Sequence, residues 1–147
     1  MSGVWSNPIA GEDETMKTTC MAPVAVFALC AGLSGCERQV SFAHDVEPIL
    51  QTYCIQCHDK NAEGYETSGF SLRDYAGVMK GTKYGAVVIP GSADSSSMYL
   101  VIAGKTAPEI QMPPHNPESL AKGRGKPLSE DQIETIRSWI DQGAKNN

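Results

Sequence analysis

Two cysteines and a histidine lie close together in Cys54-Ile55-Gln56-Cys57-His58. Thiols three residues apart on a turn leaving a helix can reach the two vinyl groups on one edge of a porphyrin, and the adjacent histidine is then held beneath the iron. The C-x-x-C-H spacing is typical of c-type haem attachment in an exported protein. We therefore predict one covalent haem c, bound through Cys54 and Cys57, with His58 as an axial ligand of the iron.

A second axial ligand is expected from a loop well after this motif. Met112 is the preferred candidate, because the two prolines that follow it stiffen the backbone and hold the thioether in place without a helix. Met79 and Met98 have apolar neighbours and are expected to be packing residues. His44 and His115 are the remaining candidates, and His115 stays open as the rival ligand.

Two other chemistries are possible for the cysteine pair, a zinc site and a redox site. Zinc would require two further ligands, and the N-terminal segment indicates export. With histidine and methionine as ligands, the iron needs no catalytic side chain, which predicts a single-electron carrier and not an enzyme. The alternative is a haem enzyme, or a gas-binding or peroxide-binding haem protein, with an open axial position.

The N-terminal segment has the layout of a secretory signal peptide. Lys17 precedes an apolar run from Met21 to Leu33, and at about 13 residues this run is short of the roughly 20 that span a bilayer. A removed leader over residues 1–35 is therefore predicted, in which residues 1–15 precede the true start at Met16.

The leader ends in Leu33-Ser34-Gly35-Cys36, which resembles the lipobox of bacterial lipoproteins. We predict that Cys36 is acylated, that residues 36–43 form a short tether and that residues 44–147 form the cytochrome domain. The acyl chains would hold the domain on the periplasmic side of a bacterial membrane. A plain cleaved signal peptide is the alternative.

Charge patterning bears on the partners of the chain. The formal net charge is -5, with both signs interspersed, so no basic face for nucleic acid is indicated. Redox proteins, including subunits of a membrane electron-transfer complex, are the predicted partners. Two basic groups have candidate roles, one in steering an acidic partner and one in neutralising haem propionates. They are Lys122, Arg124 and Lys126, and Arg73, Lys80 and Lys83, respectively.

Two helices are predicted to frame the haem. The first covers residues 46–53, with Asp45 as its N-cap and Pro48 in its first turn. The second begins with a capping box at Ser129, carries an apolar stripe and ends near Gly143. Between them, residues 86–89 are expected to form a strand or an extended piece, and residues 99–102 a helix.

These residues together resemble the single-haem cytochrome c domains of planctomycetes and related bacteria. The resemblance covers nearly all of residues 42–147 and rests on six segments. They are Val46-x-Pro48-Ile49-Leu50, the C-x-x-C-H motif, Gly69-x-x-Leu72, Val88-Ile89-Pro90-Gly91 with Ser97-x-Tyr99-Leu100, Met112-Pro113-Pro114, and Trp139-Ile140-Asp141-Gln142-Gly143-Ala144.

The resemblance implies a mainly α, class I cytochrome c-like fold. Its N- and C-terminal helices would cross around one covalently bound haem, with extended central loops. It also implies thioether attachment at Cys54 and Cys57 and axial ligation by His58 and Met112. The polar insert at residues 116–126 is a departure from the pattern.

Overall fold

The structure is a computed structural model that describes residues 38–114, 117, 121 and 125–147. Outside these residues lie the predicted leader, the lipidation site Cys36, the rival ligand His115, and most of the 116–126 insert with Lys122 and Arg124. The described part contains α-helices and no β-strand, which confirms a mainly α fold. It also contains no helix that is both long enough and apolar enough to cross a bilayer.

The helices of the described part are short, apart from the last. A π-helical turn covers Phe42–Val46, and 3-10 turns cover Ala93–Ser95 and Pro108–Ile110. The α-helices, in chain order, are α1 Glu47–Tyr53, α2 Ile55–His58, α3 Glu63–Ser68, α4 Tyr75–Lys80, α5 Ser97–Ile102 and α6 Glu130–Asp141.

The entry into α1 differs from the prediction. Ser41, not Asp45, caps the helical segment, because the π-helical turn starts before α1 and the Ser41 hydroxyl accepts a hydrogen bond from the backbone N–H of His44 at 3.2 Å. The Asp45 carboxylate instead reaches back and accepts from the N–H of Ser41 at 2.8 Å. Pro48 lies in the first turn of α1 as predicted.

The C-terminal helix α6 begins as predicted. The Ser129 hydroxyl accepts from the N–H of Gln132, and the Gln132 side chain accepts from the N–H of Ser129, which completes a capping box. Of the predicted stripe, Ile136, Trp139 and Ile140 are fully buried, whereas Ile133 is partly buried.

The helix α6 packs against the turn that precedes α1. The rings of Phe42 and Trp139 lie 5.5 Å apart, and Tyr75 of α4 completes an aromatic cluster with them. The Gln142 side chain accepts from the N–H of Val40 at 2.7 Å, so the end of the predicted tether lies against α6. The two ends of the domain are therefore joined by apolar packing and by hydrogen bonds.

The central segment forms no strand at residues 86–89. Its backbone groups are instead paired with the start of α5: the N–H of Met98 donates to the Val87 carbonyl at 3.0 Å, and the N–H of Ile89 donates to the hydroxyl of Ser96 at 2.8 Å. The predicted helix at residues 99–102 is confirmed as part of α5. The segment before α5 thus attaches to a helix end instead of pairing with a strand.

Candidate functional site

One cavity of about 210 Å³ brings together the four residues that the sequence predicts as haem contacts. Cys54, Cys57, His58 and Met112 all line it, although 54 residues separate His58 from Met112 in the chain. The structure therefore places the predicted attachment residues and the predicted second ligand at one site.

The rest of the cavity wall is mainly apolar. Its aliphatic and aromatic members come from the end of α1, from the segment after α3, from the segment before α5, from α5 itself and from the loop before Met112. They include Tyr53, Phe70, Leu72, Val87, Val101, Ile102 and Ile110. Walls of this kind suit an apolar cofactor.

A second thioether also lines the cavity, that of Met98 in the first turn of α5. The sequence analysis assigned Met98 to packing, and it is indeed a buried core residue with 5% exposure. Its position in the cavity wall was missed, because the apolar run after it indicates a buried helix but does not say which face of that helix meets the cavity. Met98 is thus a second candidate for an axial ligand.

The two cysteines sit where one helix ends and the next begins. The N–H of Cys54 donates to the carbonyl of Leu50 and closes α1, while the N–H groups of Cys57 and His58 both donate to the carbonyl of Cys54. Both thiols are free and half-buried. Burial, with the neighbouring Cys57 as a smaller cause, raises the pKa of the Cys54 thiol to about 12, so this thiol is protonated and uncharged.

The imidazole of His58 is fixed through one of its two ring nitrogens. Nδ1 lies 3.3 Å from the carbonyl oxygen of Phe70, and since a carbonyl can only accept, Nδ1 carries the proton. Burial of the ring lowers the pKa of His58, with this hydrogen bond opposing the shift. The neutral ring then keeps the lone pair of Nε2 for a metal ion.

Gly64 lies against the same imidazole from α3. A Cβ atom at this position would lie 2.7 Å from the carbonyl oxygen of Cys57, 3.1 Å from Cε1 of His58 and 3.2 Å from Nδ1 of His58. Only glycine leaves room for the ring here. The sequence analysis missed Gly64, since nothing in the local pattern marks it.

The residues after His58 are anchored to the residues after Phe70. The N–H of Leu72 donates to the carbonyl of His58 at 2.9 Å, and the guanidinium of Arg73 binds both carboxylate oxygens of Asp59. The hydrogen bond from Arg73 is the main cause that lowers the pKa of Asp59. This ion pair holds together the two segments that contact the histidine.

The Met112 side of the cavity depends on α5. The N–H of Met112 donates to the carbonyl of Val101 at 3.0 Å, which attaches the start of the Met-Pro-Pro segment to the end of that helix. The peptide bond between Met112 and Pro113 is cis, and Pro113 is buried in the cavity wall. The two prolines therefore form part of the wall beside the thioether that they follow.

Several other candidates do not reach the cavity. His44 is exposed in the N-terminal turn, and Met79 is partly buried against the core. Neither is among the residues that line the cavity, and the same holds for the basic residues Arg73, Lys80 and Lys83. The predicted role of these three toward haem propionates thus gains no support.

The donor set fits a haem and offers little for a bare metal ion. An imidazole nitrogen and a thioether sulfur in one apolar cavity are ligands typical of haem iron, and the two cysteines match the covalent attachment. In the described part of the chain, no group of three or more His, Cys, Asp or Glu side chains converges as a metal site would require. The zinc alternative therefore gains no support.

Comparison with protein families bears directly on this site. Residues 54–116 match the model of the family described as planctomycete cytochrome C. This segment is therefore similar to a c-type cytochrome domain. The match runs from Cys54 to just beyond Met112, covers somewhat less than half of the chain, and confirms the resemblance found in the sequence. A domain of this family implies haem c and haem-based electron transfer. Comparison with curated proteins and with solved structures found no significant match.

We predict that Gly64→Ala destabilises the haem-loaded protein and disturbs His58. Alanine in place of glycine normally stabilises a helix by roughly 0.5–1 kcal/mol. Here the added methyl group meets the Cys57 carbonyl and the imidazole, and overpacking of this kind typically costs about 1–3 kcal/mol. The measurements are urea unfolding and the hyperfine-shifted NMR signals of the His58 ring in the oxidised protein.

Gly77→Ala is the matched control for this prediction. Gly77 is also helical, and a Cβ there would lie 2.7 Å from the carbonyl oxygen of Ser71, away from the histidine. Both variants are expected to lose stability, but only Gly64→Ala should shift the His58 signals. Equal and small shifts in both variants would show that Gly64 does not position the ring.

The ion pair of Asp59 with Arg73 predicts a pH-dependent contribution to stability. The folded-state pKa of Asp59 is lowered, so its contribution is present above the unfolded value of about 3.9 and is lost as the pH falls through the folded value. Because the pair is largely exposed, the effect should be small. Asp59→Asn should lower the Tm near neutral pH, and the difference from the original protein should close below about pH 4.

Thermal unfolding followed by circular dichroism across this pH range provides the measurement. Arg73→Gln should show the same pH dependence, and the double variant should lose no more than either single variant. A Tm difference that persists unchanged into strong acid would rule out the ion pair as its cause.

Proposed function

We propose that this protein transfers single electrons on one covalently bound haem c, attached through Cys54 and Cys57 and ligated by His58 and Met112. The observation that carries the proposal is that these four side chains line one apolar cavity. In this view the protein is an electron carrier, not an enzyme.

When bound, the haem supplies an iron that gains and loses one electron. The chain's part is to hold the iron in the same surroundings in both oxidation states. The Nδ1–H of His58 donates to the Phe70 carbonyl, which would leave the lone pair of Nε2 free to bind the metal. The thioether of Met112 would be the second ligand of the iron, leaving no position for a substrate.

The apolar walls around these ligands serve the same function. Apolar side chains of the wall, among them Phe70, Leu72 and Val101, would limit the access of water to the bound haem. Fewer mobile water dipoles around the iron mean less rearrangement when its charge changes. Exclusion of solvent also sets the reduction potential, together with hydrogen bonding to the ligands.

A second candidate function is a haem protein with an open axial position, acting on peroxide or binding a diatomic gas. This function requires that neither methionine of the described cavity wall, Met98 or Met112, binds the iron. If neither thioether binds the iron, small molecules gain access to it.

The proposal also includes a cellular location and partners. We place it outside the cytoplasm, held at a bacterial membrane by lipid on Cys36, with redox proteins or subunits of a membrane complex as partners. The signal-peptide layout and the lipobox support this placement. Arg38 follows Cys36 by two positions, at most about 7 Å of extended chain, which would keep the domain close to the membrane.

Carbon monoxide binding to the reduced protein tests the axial ligands. We expect no prompt binding to the original protein, and an oxidised spectrum with the weak charge-transfer band of methionine-bound iron. Met112→Leu should abolish the band and admit carbon monoxide, because leucine fills a similar volume but offers no sulfur.

Met98→Leu is the matched control, since it removes the other thioether of the cavity with the same change. It should retain the band and exclude carbon monoxide. The reverse pattern would make Met98 the ligand and leave the carrier function intact. Prompt binding of carbon monoxide by the original protein would favour the open-site function instead.

The lipid anchor is tested by Cys36→Ser in the native host. We expect the original protein to partition into detergent and to carry the mass of the acyl chains on Cys36, since each buried methylene contributes about 0.8 kcal/mol to membrane binding. Cys36→Ser should abolish both properties, whereas Cys30→Ser, a change in the leader before the lipobox, should abolish neither. A mature protein of unmodified mass would exclude the anchor.

A further inference from the structure

The loop that leads from α5 to Met112 is closed by one side chain. We call residues 104–112 the Met112 loop. Near its end, Nε2 of Gln111 donates to the carbonyl of Thr106 at 3.0 Å and to the carbonyl of Gly104 at 3.3 Å. The loop therefore folds back on itself. The amide that joins its beginning to its end belongs to the residue directly before Met112.

The main chain attaches the same loop to the cavity wall. The N–H of Lys105 donates to the carbonyl of Leu100, and the N–H of Met112 donates to the carbonyl of Val101. These bonds fix both ends of the loop on the last turn of α5. Between them, the 3-10 turn Pro108–Ile110 has no side-chain cap, and it is held by backbone hydrogen bonds from the N–H groups of Ile110 and Gln111.

From this arrangement we infer that Gln111 is a positioning residue for the axial thioether, because its amide closes the Met112 loop and so keeps Met112 in the cavity. The inference rests on the proposed function, in which Met112 binds the iron. Gln111 acts through the backbone: fixing the Gly104 and Thr106 carbonyls limits how far the main chain at residue 112 can move from α5.

The test replaces Gln111 in the full, haem-loaded chain. Gln111→Leu keeps the aliphatic part of the side chain and removes the amide. Losing one or two such hydrogen bonds should raise the fraction of molecules with Met112 off the iron by about 5–30-fold. We expect a weaker methionine–iron charge-transfer band, faster carbon monoxide binding to the reduced protein and a shifted reduction potential.

Gln111→Asn adds a graded comparison, because it keeps the amide on a side chain that is one methylene shorter. It should reach one carbonyl at most and give a smaller increase in carbon monoxide binding than Gln111→Leu. A larger increase than that of Gln111→Leu would contradict the inference.

Two controls separate positioning from a general loss of stability. Gln142→Leu removes another amide that donates to a backbone carbonyl, that of Arg38 at 3.2 Å, from a residue that does not line the cavity. Ile136→Val weakens the buried face of α6. Both should leave the band and the carbon monoxide rate unchanged, even if the Tm falls.

The outcomes distinguish this inference from the proposed function. If the original protein shows the methionine–iron band and Gln111→Leu retains the band, the potential and the carbon monoxide rate, Gln111 does not position Met112. If the original protein lacks the band, or if Met112→Leu keeps it, the proposed ligation itself is wrong and the inference fails with it.

Discussion

The geometry of the site depends on the hydrogen bond from Nδ1 of His58 to the carbonyl of Phe70. An imidazole has two nitrogens, and a fixed partner on one of them determines the tautomer and the orientation in which the other is offered to a metal. Everything near His58 serves this arrangement: α2 sets the backbone, Leu72 binds its carbonyl, and the ring of Phe70 lies edge-on to the imidazole at 5.6 Å. The hydrogen bond at Nδ1 thus determines how Nε2 is presented to a metal.

The second constraint comes from the joining of the chain ends. The Phe42 turn and α6 are far apart in sequence, yet their side chains form one aromatic and aliphatic core with Tyr75. Ile49 and Leu50 of α1 belong to this core, and Cys54 directly follows that helix. Because the helices before and after the cysteines are short, their positions depend on this packing more than on their own helix propensity.

Sequence patterns predicted the features that arise from neighbouring residues. The capping box at Ser129 and the position of Pro48 follow from contacts within a few residues, and both were confirmed. The N-cap at Asp45 was wrong for an instructive reason. Its carboxylate does bind a backbone N–H at a helix start, but that helix start belongs to Ser41, one turn earlier.

Features that arise between distant segments were beyond the sequence patterns. Met98 was expected in the core, and it lies there, but its contact with the cavity depends on how α5 is rotated. The pairing of residues 87 and 89 with the start of α5 removed the expected strand for the same reason. The Met112 loop is intermediate: its prolines indicated a rigid segment, whereas the amide contacts of Gln111 became visible only once the loop was folded.

The close approach of α3 to the imidazole has a consequence for interpreting related chains. Since the missing side chain at position 64 is what lets a main-chain segment lie against the ring, a larger residue there would require the third helix or the imidazole to shift. We therefore expect a glycine six residues after the histidine wherever a helix supports the ligand in this way. Its loss would mark a subgroup with a differently supported metal ligand, even where the attachment motif is identical.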